Sequence, residues 1–332
     1  MQRKPNLAVV GATGLVGGTF LKILAERDFP YENLYLMASA KSAGSKIDFR
    51  GRTHIVEELT EHSFDKPIDI ALFSAGGGTS EKFAPIAAAK GTAVVDNSSA
   101  WRADPQVPLV VPEVNPREIA KHKGIIANPN CSTIQAMVAL KPLYDRYGIK
   151  RIVYSTYQSV SGSGLKGIRD LEEGLKGKDL KLAYPHAIAG NCLPHIDSFL
   201  DNGYTKEEMK MINETRKILG DDRIAITATT VRVPVLYSHS ESINAELEKP
   251  FDLSELRSLL AASPGIVVID DPSKNEYPLA RDAAGRDEVF IGRIRRDFSV
   301  ENGLNLWVVA DNIRKGAATN AVQIAEKLLE IL

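Results

Sequence analysis

The stretch Leu7-Ala8-Val9-Val10-Gly11-Ala12-Thr13-Gly14-Leu15-Val16-Gly17 decides how the first half of the chain folds. Four consecutive apolar residues suit a strand buried on both faces of a parallel sheet. A glycine-rich turn follows at once, and a helical stretch runs on to about Arg27. In that order the glycines let the backbone approach a pyrophosphate, while the helix N-terminus turns its N–H groups towards it. The spacing is GxxGxxG rather than GxGxxG, so the flanking strand and helix carry the reading of a nucleotide-binding turn over a purely structural one.

Strands and helices keep alternating beyond it, which predicts an α/β fold. A second strand, Leu34–Ala38, should end near the adenosine ribose of a bound dinucleotide, where an NAD-preferring site places Asp or Glu. Here the chain reads Ser39-Ala40-Lys41-Ser42-Ala43-Gly44. A cation with two hydroxyls and no local carboxylate suits a 2′-phosphate, so NADP is the expected cofactor, against a merely solvated lysine. A third strand, Ile68–Phe73, leads into a glycine-rich turn at Ser74–Ser80, at the strand end where open α/β sheets bind ligands. A helix is expected over Glu81–Lys90, then the strand Ala93–Val95 and the loop Asp96–Arg102. The guanidinium of Arg102 is a fork of donors that suits an anion, although an arginine in such a loop is also an ordinary surface charge.

Length and composition narrow the class. A prior of about 150 residues per domain makes 332 residues two domains. The 44% hydrophobic and 25% charged fractions are those of a globular protein, and a formal net charge of −1 offers no electrostatic case for nucleic acid or an acidic membrane. The two cysteines, Cys131 and Cys192, are too few for a disulfide framework, which fits a reducing compartment. The four apolar residues after Met1–Asn6 are too short for a signal peptide, and no run approaches the roughly 18 residues of a membrane span. A cytoplasmic, soluble, two-domain protein is expected.

The second decisive stretch is Asn128-Pro129-Asn130-Cys131-Ser132-Thr133-Ile134-Gln135. Gly124–Ala127 reads as a short strand, Asn-Pro-Asn turns the chain, and Ser132-Thr133 opens a helix. The Cys131 thiol then lies at or just before a helix N-terminus, where the dipole favours thiolate and hence a nucleophile. A buried cysteine acting as a small hydrophobe is the inert alternative. Beyond Arg151 the pattern changes. Ile152–Val160 is a β-branched, aromatic strand, residues 165–182 are charged and helical, and Thr205 caps a helix to Leu219. Glu207 and Lys210 share a face of that helix. Ile224–Val235 is another strand, followed by His239, the best candidate general base because imidazole titrates near neutrality. Arg232 and His239 differ by seven positions, so an unbroken strand would point them to opposite faces; to serve one pocket the chain must turn or bulge between them, as Pro234 and Ser238 allow. Leu306–Ala310 is a strand, Asp311–Gly316 a turn and Ala317–Leu332 an amphipathic helix. No metal-ligand spacing is present.

Taken together, these motifs resemble the aspartate-semialdehyde dehydrogenases, in their shorter bacterial form. The resemblance runs essentially end to end. It is carried by GATGLVG at Gly11–Gly17, SAGGGTS at Ser74–Ser80, VPEVN at Val111–Asn115 and NPNCSTIQ at Asn128–Gln135. It continues in STYQSVSGSG at Ser155–Gly164, RVPVLYSHSES at Arg232–Ser242 and DNIRKGAA at Asp311–Ala318. It implies a Rossmann-like NADP-binding domain, residues 1–130 completed by helix 317–332, and an α+β catalytic and dimerisation domain with a mixed sheet, residues 131–316. It also implies interconversion of L-aspartate 4-semialdehyde and L-4-aspartyl phosphate with NADP and inorganic phosphate, through a cysteine thioester, towards lysine, threonine and methionine. By motif position, Cys131 would be the nucleophile, His239 the acid/base and Gln158 the residue that positions the intermediate. Arg232 and Glu207 would hold the amino-acid end of the substrate, and Arg102 and Lys210 the phosphate, with Asn130 close by. NADP would lie over Gly11, Thr13, Gly14, Leu15 and Val16, with Ser39, Lys41 and Ser42 at the 2′-phosphate. Ser74 would lie on the same strand ends, and Ser161, Gly162 and Asn312 near the nicotinamide half. A homodimer is implied.

The chain departs from the family pattern between Leu165 and Asn191, where it is shortened, and at Asn191-Cys192-Leu193-Pro194-His195. That region is expected at the subunit interface. Three rivals compete. An N-acetyl-glutamyl phosphate reductase would have a Gly-Cys-Tyr context where this chain has Asn-Cys-Ser. A short-chain reductase needs Tyr-x-x-x-Lys, which none of the ten tyrosines provides. A non-enzymatic NADP-binding redox sensor would use Cys131 only for oxidation.

Overall fold

The computed structural model describes residues 4–331; Met1–Arg3 of the N-terminal reading and Leu332 of the expected last helix lie outside the described residues. The chain divides into two compact units. One runs up to Pro129 and resumes at Ala317, and the other is Asn130–Gly316.

The first unit contains β1 (Leu7–Val10), α1 (Leu15–Glu26), β2 (Leu34–Ala38), a hairpin of β3 (Lys46–Phe49) and β4 (Arg52–Ile55), and β5 (Glu57–Glu58). It continues with β6 (Ile70–Phe73), α2 (Gly77–Ala89), β7 (Ala93–Asp96) and β8 (Ile125–Ala127). Among the described residues its main sheet has the order β5-β2-β1-β6-β7-β8, parallel at every neighbouring pair. β1, β6 and β7 are buried along their whole length, as their continuous apolar runs require. Phe20 and Leu24 of α1 pack into one core with Val322, Ala325 and Leu328 of the helix Thr319–Leu329. The chain runs from β1 outward to β2 and then returns to β6 on the other side of β1, so β1 and β6 flank the point where strand order reverses. Open α/β sheets bind ligands at such points.

Two local expectations change here. α2 starts at Gly77, not Glu81: only Gly76 carries the left-handed φ of +86°, and the glycines after it are already helical. The β3–β4 hairpin had no counterpart in the sequence reading, because its short strands are mostly exposed and lack an apolar run.

The second unit contains α3 (Cys131–Tyr147), β9 (Ile149–Gln158), α4 (Gly164–Gly174), α5 (Lys206–Leu219), β10 (Ala225–Arg232) and β11 (His239–Leu247). α6 (Leu253–Ala261), β12 (Ile266–Val268), α7 (Ala280–Ala283), β13 (Val289–Asp297) and β14 (Gly303–Ala310) complete it. Among the described residues its sheet has the order β10-β9-β11-β14-β13-β12. β10–β9 and β12–β13 are parallel and the other neighbours antiparallel, so the sheet is mixed. α3 is buried on nearly every side from Ser132 to Leu140, which is why its apolar residues do not form a single stripe. It lies with α5 and α6 against one face of the sheet. The other face is covered over β13 and β14 by α7 and the segment before it, with Trp307 Nε1 donating to the Pro278 carbonyl at 3.0 Å, and is exposed at Tyr157 (39%), which is tilted against Trp307 at 5.6 Å between ring centroids.

Several boundaries shift. α3 begins at Cys131 rather than Ser132, since Asn130 is its cap. β9 begins at Ile149 and ends at Gln158, and Val160 already belongs to a short 3-10 turn. The single strand expected over Ile224–Val235 ends at Arg232, and a new strand starts at His239 after Ser238, whose φ is +72°. The last α-helix starts at Thr319, after a π-helical turn at Arg314–Ala318. Thr205 caps α5 as expected, with Glu208 closing a capping box.

The glycine turn tests the first unit. A Cβ on Gly17 would stand 2.0 Å from the Gly11 carbonyl oxygen, a main-chain atom that cannot step aside. Gly17→Ala should lower stability by about 1–3 kcal/mol, read as a shift of the urea midpoint, and an unchanged midpoint would contradict this packing.

Candidate active site

In the first unit, the turn after β1 and the end of β6 line one cavity of about 420 Å³. Gly11, Thr13, Gly14, Ser39 and Ser74 contribute to it, with Leu59, Thr79 and Phe83. A Cβ on Gly11 would strike the Ser74 carbonyl oxygen at 2.3 Å, and Gly11 has a φ of +86°, so both space and conformation demand glycine. The cap of α1 is Gly14, with no side chain between the first-turn N–H groups and an incoming anion. Leu15 and Val16 open the helix instead of lining the cavity, and Val16 packs on the core. Lys41 and Ser42 sit in the loop after β2, where Ser42 and Ala43 N–H groups fold back on the Ser39 carbonyl. Lys41 is exposed, and no carboxylate among the described residues ion-pairs with it. Arg102 is oriented by two main-chain carbonyls, Asn128 at 2.9 Å from Nε and Asn97 at 3.0 Å from Nη2.

The second unit assembles the candidate reactive group. Asn130 caps α3: its Oδ1 accepts from the N–H groups of Ser132 (3.0 Å) and Thr133 (3.2 Å). Its own N–H donates to Glu214 at 2.6 Å and its Nδ2 to Glu207 at 2.8 Å. Cys131 is thereby held in the first turn of the helix, with its Sγ 3.2 Å from His239 Nε2. The other ring nitrogen, Nδ1, receives the Ser159 N–H at 3.0 Å. A peptide N–H can only donate, so the neutral ring carries its proton on Nε2, facing the sulfur. Asn312 braces this arrangement, since its Oδ1 accepts from Ser159 Oγ (3.0 Å), Ser161 Oγ (3.1 Å) and Ser238 N–H (3.0 Å). Its Nδ2 is buried and unpartnered among the described residues.

Sheet register settles the placement of Arg232 and His239. Arg232 stands opposite Gln158 across β10–β9, and Ser240 stands opposite Tyr157 across β9–β11, which puts His239 beside Gln158. Residues directly opposite point to the same face. Arg232, Gln158 and His239 therefore form one row on three neighbouring strands: the chain turns between Arg232 and His239, so the opposite-face geometry of an unbroken strand does not apply. Gly162 lets them converge: a Cβ there would be 2.9 Å from Arg232 Nη1 and 3.4 Å from His239 Cε1.

Around this row, Arg232 Nη1 donates to the Ser159 carbonyl at 2.6 Å, while its buried Nε has no partner among the described residues. Gln158 Nε2 donates to Thr156 (3.2 Å) and Glu207 (3.3 Å). Glu207 is buried, and its second oxygen accepts from Lys210 at 3.2 Å. Lys210 is also bonded to Asp197 at 2.7 Å, so its ammonium already serves two carboxylates. Cys192 is exposed, and His195 stacks on Phe199.

Sequence reasoning missed Ser159, Glu241 and Asp197. Ser159 acts through a main-chain N–H, which leaves no mark on residue type. Asp197 meets Lys210 across 13 positions of irregular chain. Glu241 was legible in principle, two residues after His239 and so on the same strand face.

Burial, and the nearby Arg232 charge, push the His239 imidazole well below its ordinary value of 6.5, against a smaller opposing contribution from the Ser238 main chain. Below about pH 6.5 the unfolded chain binds a proton that the folded site refuses, so this residue makes stability fall as pH falls. The unfolding free energy of His239→Gln from urea titrations should decline less steeply than the parent's below that pH, by up to about 1.4 kcal/mol per pH unit. Parallel declines would show that the imidazole is not held neutral.

Comparison with known proteins bears on both units. Residues 6–122 match the family model described as semialdehyde dehydrogenase, NAD binding domain, and residues 140–315 match semialdehyde dehydrogenase, dimerisation domain. The aspartate-semialdehyde dehydrogenase of Aquifex aeolicus is 59% identical over 98% of each chain. That of Legionella pneumophila is 55% identical over 99% of this chain and 96% of its own. Among solved structures, the Vibrio cholerae aspartate semialdehyde dehydrogenase II complexed with ASA superposes with a TM-score of 0.95 at 50% identity, covering 99% of both chains. A Candida albicans aspartate semialdehyde dehydrogenase with NADP has a TM-score of 0.79 at 26% identity, covering 99% of this chain and 100% of that one.

Proposed function

The chain belongs to the aspartate-semialdehyde dehydrogenase family, and on that premise we propose that it interconverts L-aspartate 4-semialdehyde and L-4-aspartyl phosphate, using NADP and inorganic phosphate. The observation that carries this reading is the 3.2 Å approach of Cys131 Sγ to a His239 whose other nitrogen is engaged by the Ser159 N–H.

In this mechanism the thiolate of Cys131, favoured by the first turn of α3, attacks the aldehyde carbon. A thiolate yields the alkoxide directly, so His239 has no hydroxyl proton to remove at that step. Its acid/base contribution is made through the Nε2 proton, shared first with the sulfur and then with the adduct oxygen. A bound nicotinamide supplies the hydride acceptor. The resulting Cys131 thioester is attacked by a phosphate oxygen, and the thiolate leaves as the acyl phosphate forms. Arg232, with a buried unpartnered Nε, is suited to the substrate carboxylate. The Glu207 carboxylate answers the ammonium, and Gln158 lies between them in position to hold the adduct. Arg102, Lys210 and Asn130 are proposed phosphate contacts, with Lys210 exchanging one carboxylate for the phosphate.

The cavity of the first unit fits a dinucleotide: Gly11 admits no side chain, and the α1 cap leaves main-chain donors for a pyrophosphate. The buried Asn312 Nδ2 has the chemistry for a carboxamide oxygen, beside Ser161 and Gly162. Lys41, with Ser39 and Ser42, is the proposed 2′-phosphate reader. The exposed part of that sheet face, around Tyr157, is the proposed homodimer surface. A cytoplasmic role in lysine, threonine and methionine biosynthesis goes with this activity. Among the described residues, no helix is long and apolar enough to cross a membrane.

Cys131→Ala should abolish phosphate-dependent NADPH formation from L-aspartate 4-semialdehyde while circular dichroism stays that of the parent; surviving turnover would sink the mechanism. Offering both acyl phosphates to the parent enzyme should show preference for the free ammonium over the N-acetylated substrate. Lys41→Ala should raise KM for NADP by about tenfold, the loss of one charge-assisted contact, and leave KM for NAD alone. Equal effects on both cofactors would place the 2′-phosphate elsewhere.

A further inference from the structure

One buried acid in the second unit has no part in the mechanism above. Glu241 follows His239 by two residues on β11, so both side chains leave the strand on the face covered by α3 and α5. Its register partners are Thr156 of β9 and Val308 of β14, the row adjacent to Arg232, Gln158 and His239. It is fully buried, and neither carboxyl oxygen has a hydrogen-bond partner among the described residues. The same is true of Ser132 Oγ, the hydroxyl next in sequence to the nucleophile. That hydroxyl lies close enough for its dipole to favour a charge on Glu241, without the geometry of a formed hydrogen bond.

Among the described residues, no cation is among the groups that act on Glu241. Glu207 of α5 is a like charge, Tyr154 of β9 is a phenol that burial makes harder to ionise, and His239 on its own strand is held neutral. The remaining neighbours, Ser132, Thr156 and Val308, carry no charge. Burial therefore dominates and pushes the Glu241 carboxyl well above its ordinary range. A carboxyl left without a cation in such a place stays protonated, and a protonated carboxyl has an O–H to give as well as an oxygen to receive.

We propose that Glu241 is a positioning residue, resting on the assignment of Cys131 and His239 as the reactive pair: through Ser132 it couples the first turn of α3 to the strand that carries His239, and so sets the distance between Sγ and Nε2. It works as an uncharged acid. Ionisation would add a second buried negative charge beside Glu207 and push against the developing thiolate.

The test compares Glu241→Gln, Glu241→Ala and Ser132→Ala in the full-length enzyme. Each is assayed for phosphate-dependent NADP⁺ reduction and, separately, for the rate of Cys131 alkylation by iodoacetamide across pH. Cys192→Ser serves as the background, to leave one reactive thiol. Glu241→Ala and Ser132→Ala should each lower kcat by about tenfold, the worth of one buried polar contact, with KM for the semialdehyde little changed, and should slow alkylation. Glu241→Gln, which keeps shape and neutrality, should recover most of both rates. It should also lack any alkaline decline that ionisation of the parent's carboxyl imposes. The proposal is overturned if Glu241→Gln is as damaged as Glu241→Ala, or if Ser132→Ala and Glu241→Ala leave both rates at the parent's level. Should Glu241→Ala fail to fold, Ser132→Ala and Glu241→Gln decide the question alone. Alkylation needs no turnover, so a wrong choice of substrate would abolish the first readout and leave the second intact.

Discussion

Asn130 is the residue on which the reactive arrangement depends. One side chain caps α3 through two N–H groups and reaches Glu207 with its other end, while its own main-chain N–H is taken by Glu214 of the same helix, α5. The start of α3 is thus tied to α5 before any substrate is considered. Cys131 cannot drift from the helix dipole without breaking these contacts. Caps of this kind are each worth about 1 kcal/mol, so the rigidity comes from their sharing one residue rather than from the strength of any single bond.

From that anchor the chemistry follows by exclusion. The Ser159 N–H claims His239 Nδ1, which leaves Nε2 as the only ring position for the mobile proton. Asn312 holds the serines and the Ser238 main chain around it, and Ser238 accepts a left-handed φ to bring His239 into line. Burial beside Arg232 then keeps the imidazole uncharged. A neutral donor next to a thiolate suits a reaction in which charge passes from sulfur to oxygen and back. An imidazolium would hold the thiolate more tightly than the transition state requires.

The second unit also concentrates acids to an unusual degree. Glu207, Glu208, Glu214 and Glu241 are all buried, and each is handled differently. Glu208 closes the cap of α5 and accepts from the Thr230 N–H. Glu214 accepts from Asn130, and Glu207 is matched by Lys210 and two amides. Glu241 alone has neither a cation nor a formed hydrogen bond, which is why neutrality is its least costly state.

Much of the first unit was readable from the chain alone. Strand, glycine turn and helix are local signals, and Gly11 and Gly17 are dictated by main-chain contacts within a few residues or with the adjacent strand. The parallel sheet follows from alternating elements, and the position of Cys131 at a helix start follows from the residues around it. The sequence also placed Thr205 as a cap and kept Glu207 and Lys210 on one helix face. What it could not decide was anything set by strand order. Residues 232 and 239 look as though they belong to opposite faces of one strand, yet β9 slides between β10 and β11 and brings them into a single row with Gln158. The partners of Nδ1, the burial of Glu207 and the isolation of Glu241 likewise come from segments tens of residues apart. Local pattern records what a residue can be; only the packing of distant strands and helices sets which proton it holds and which charge it can keep.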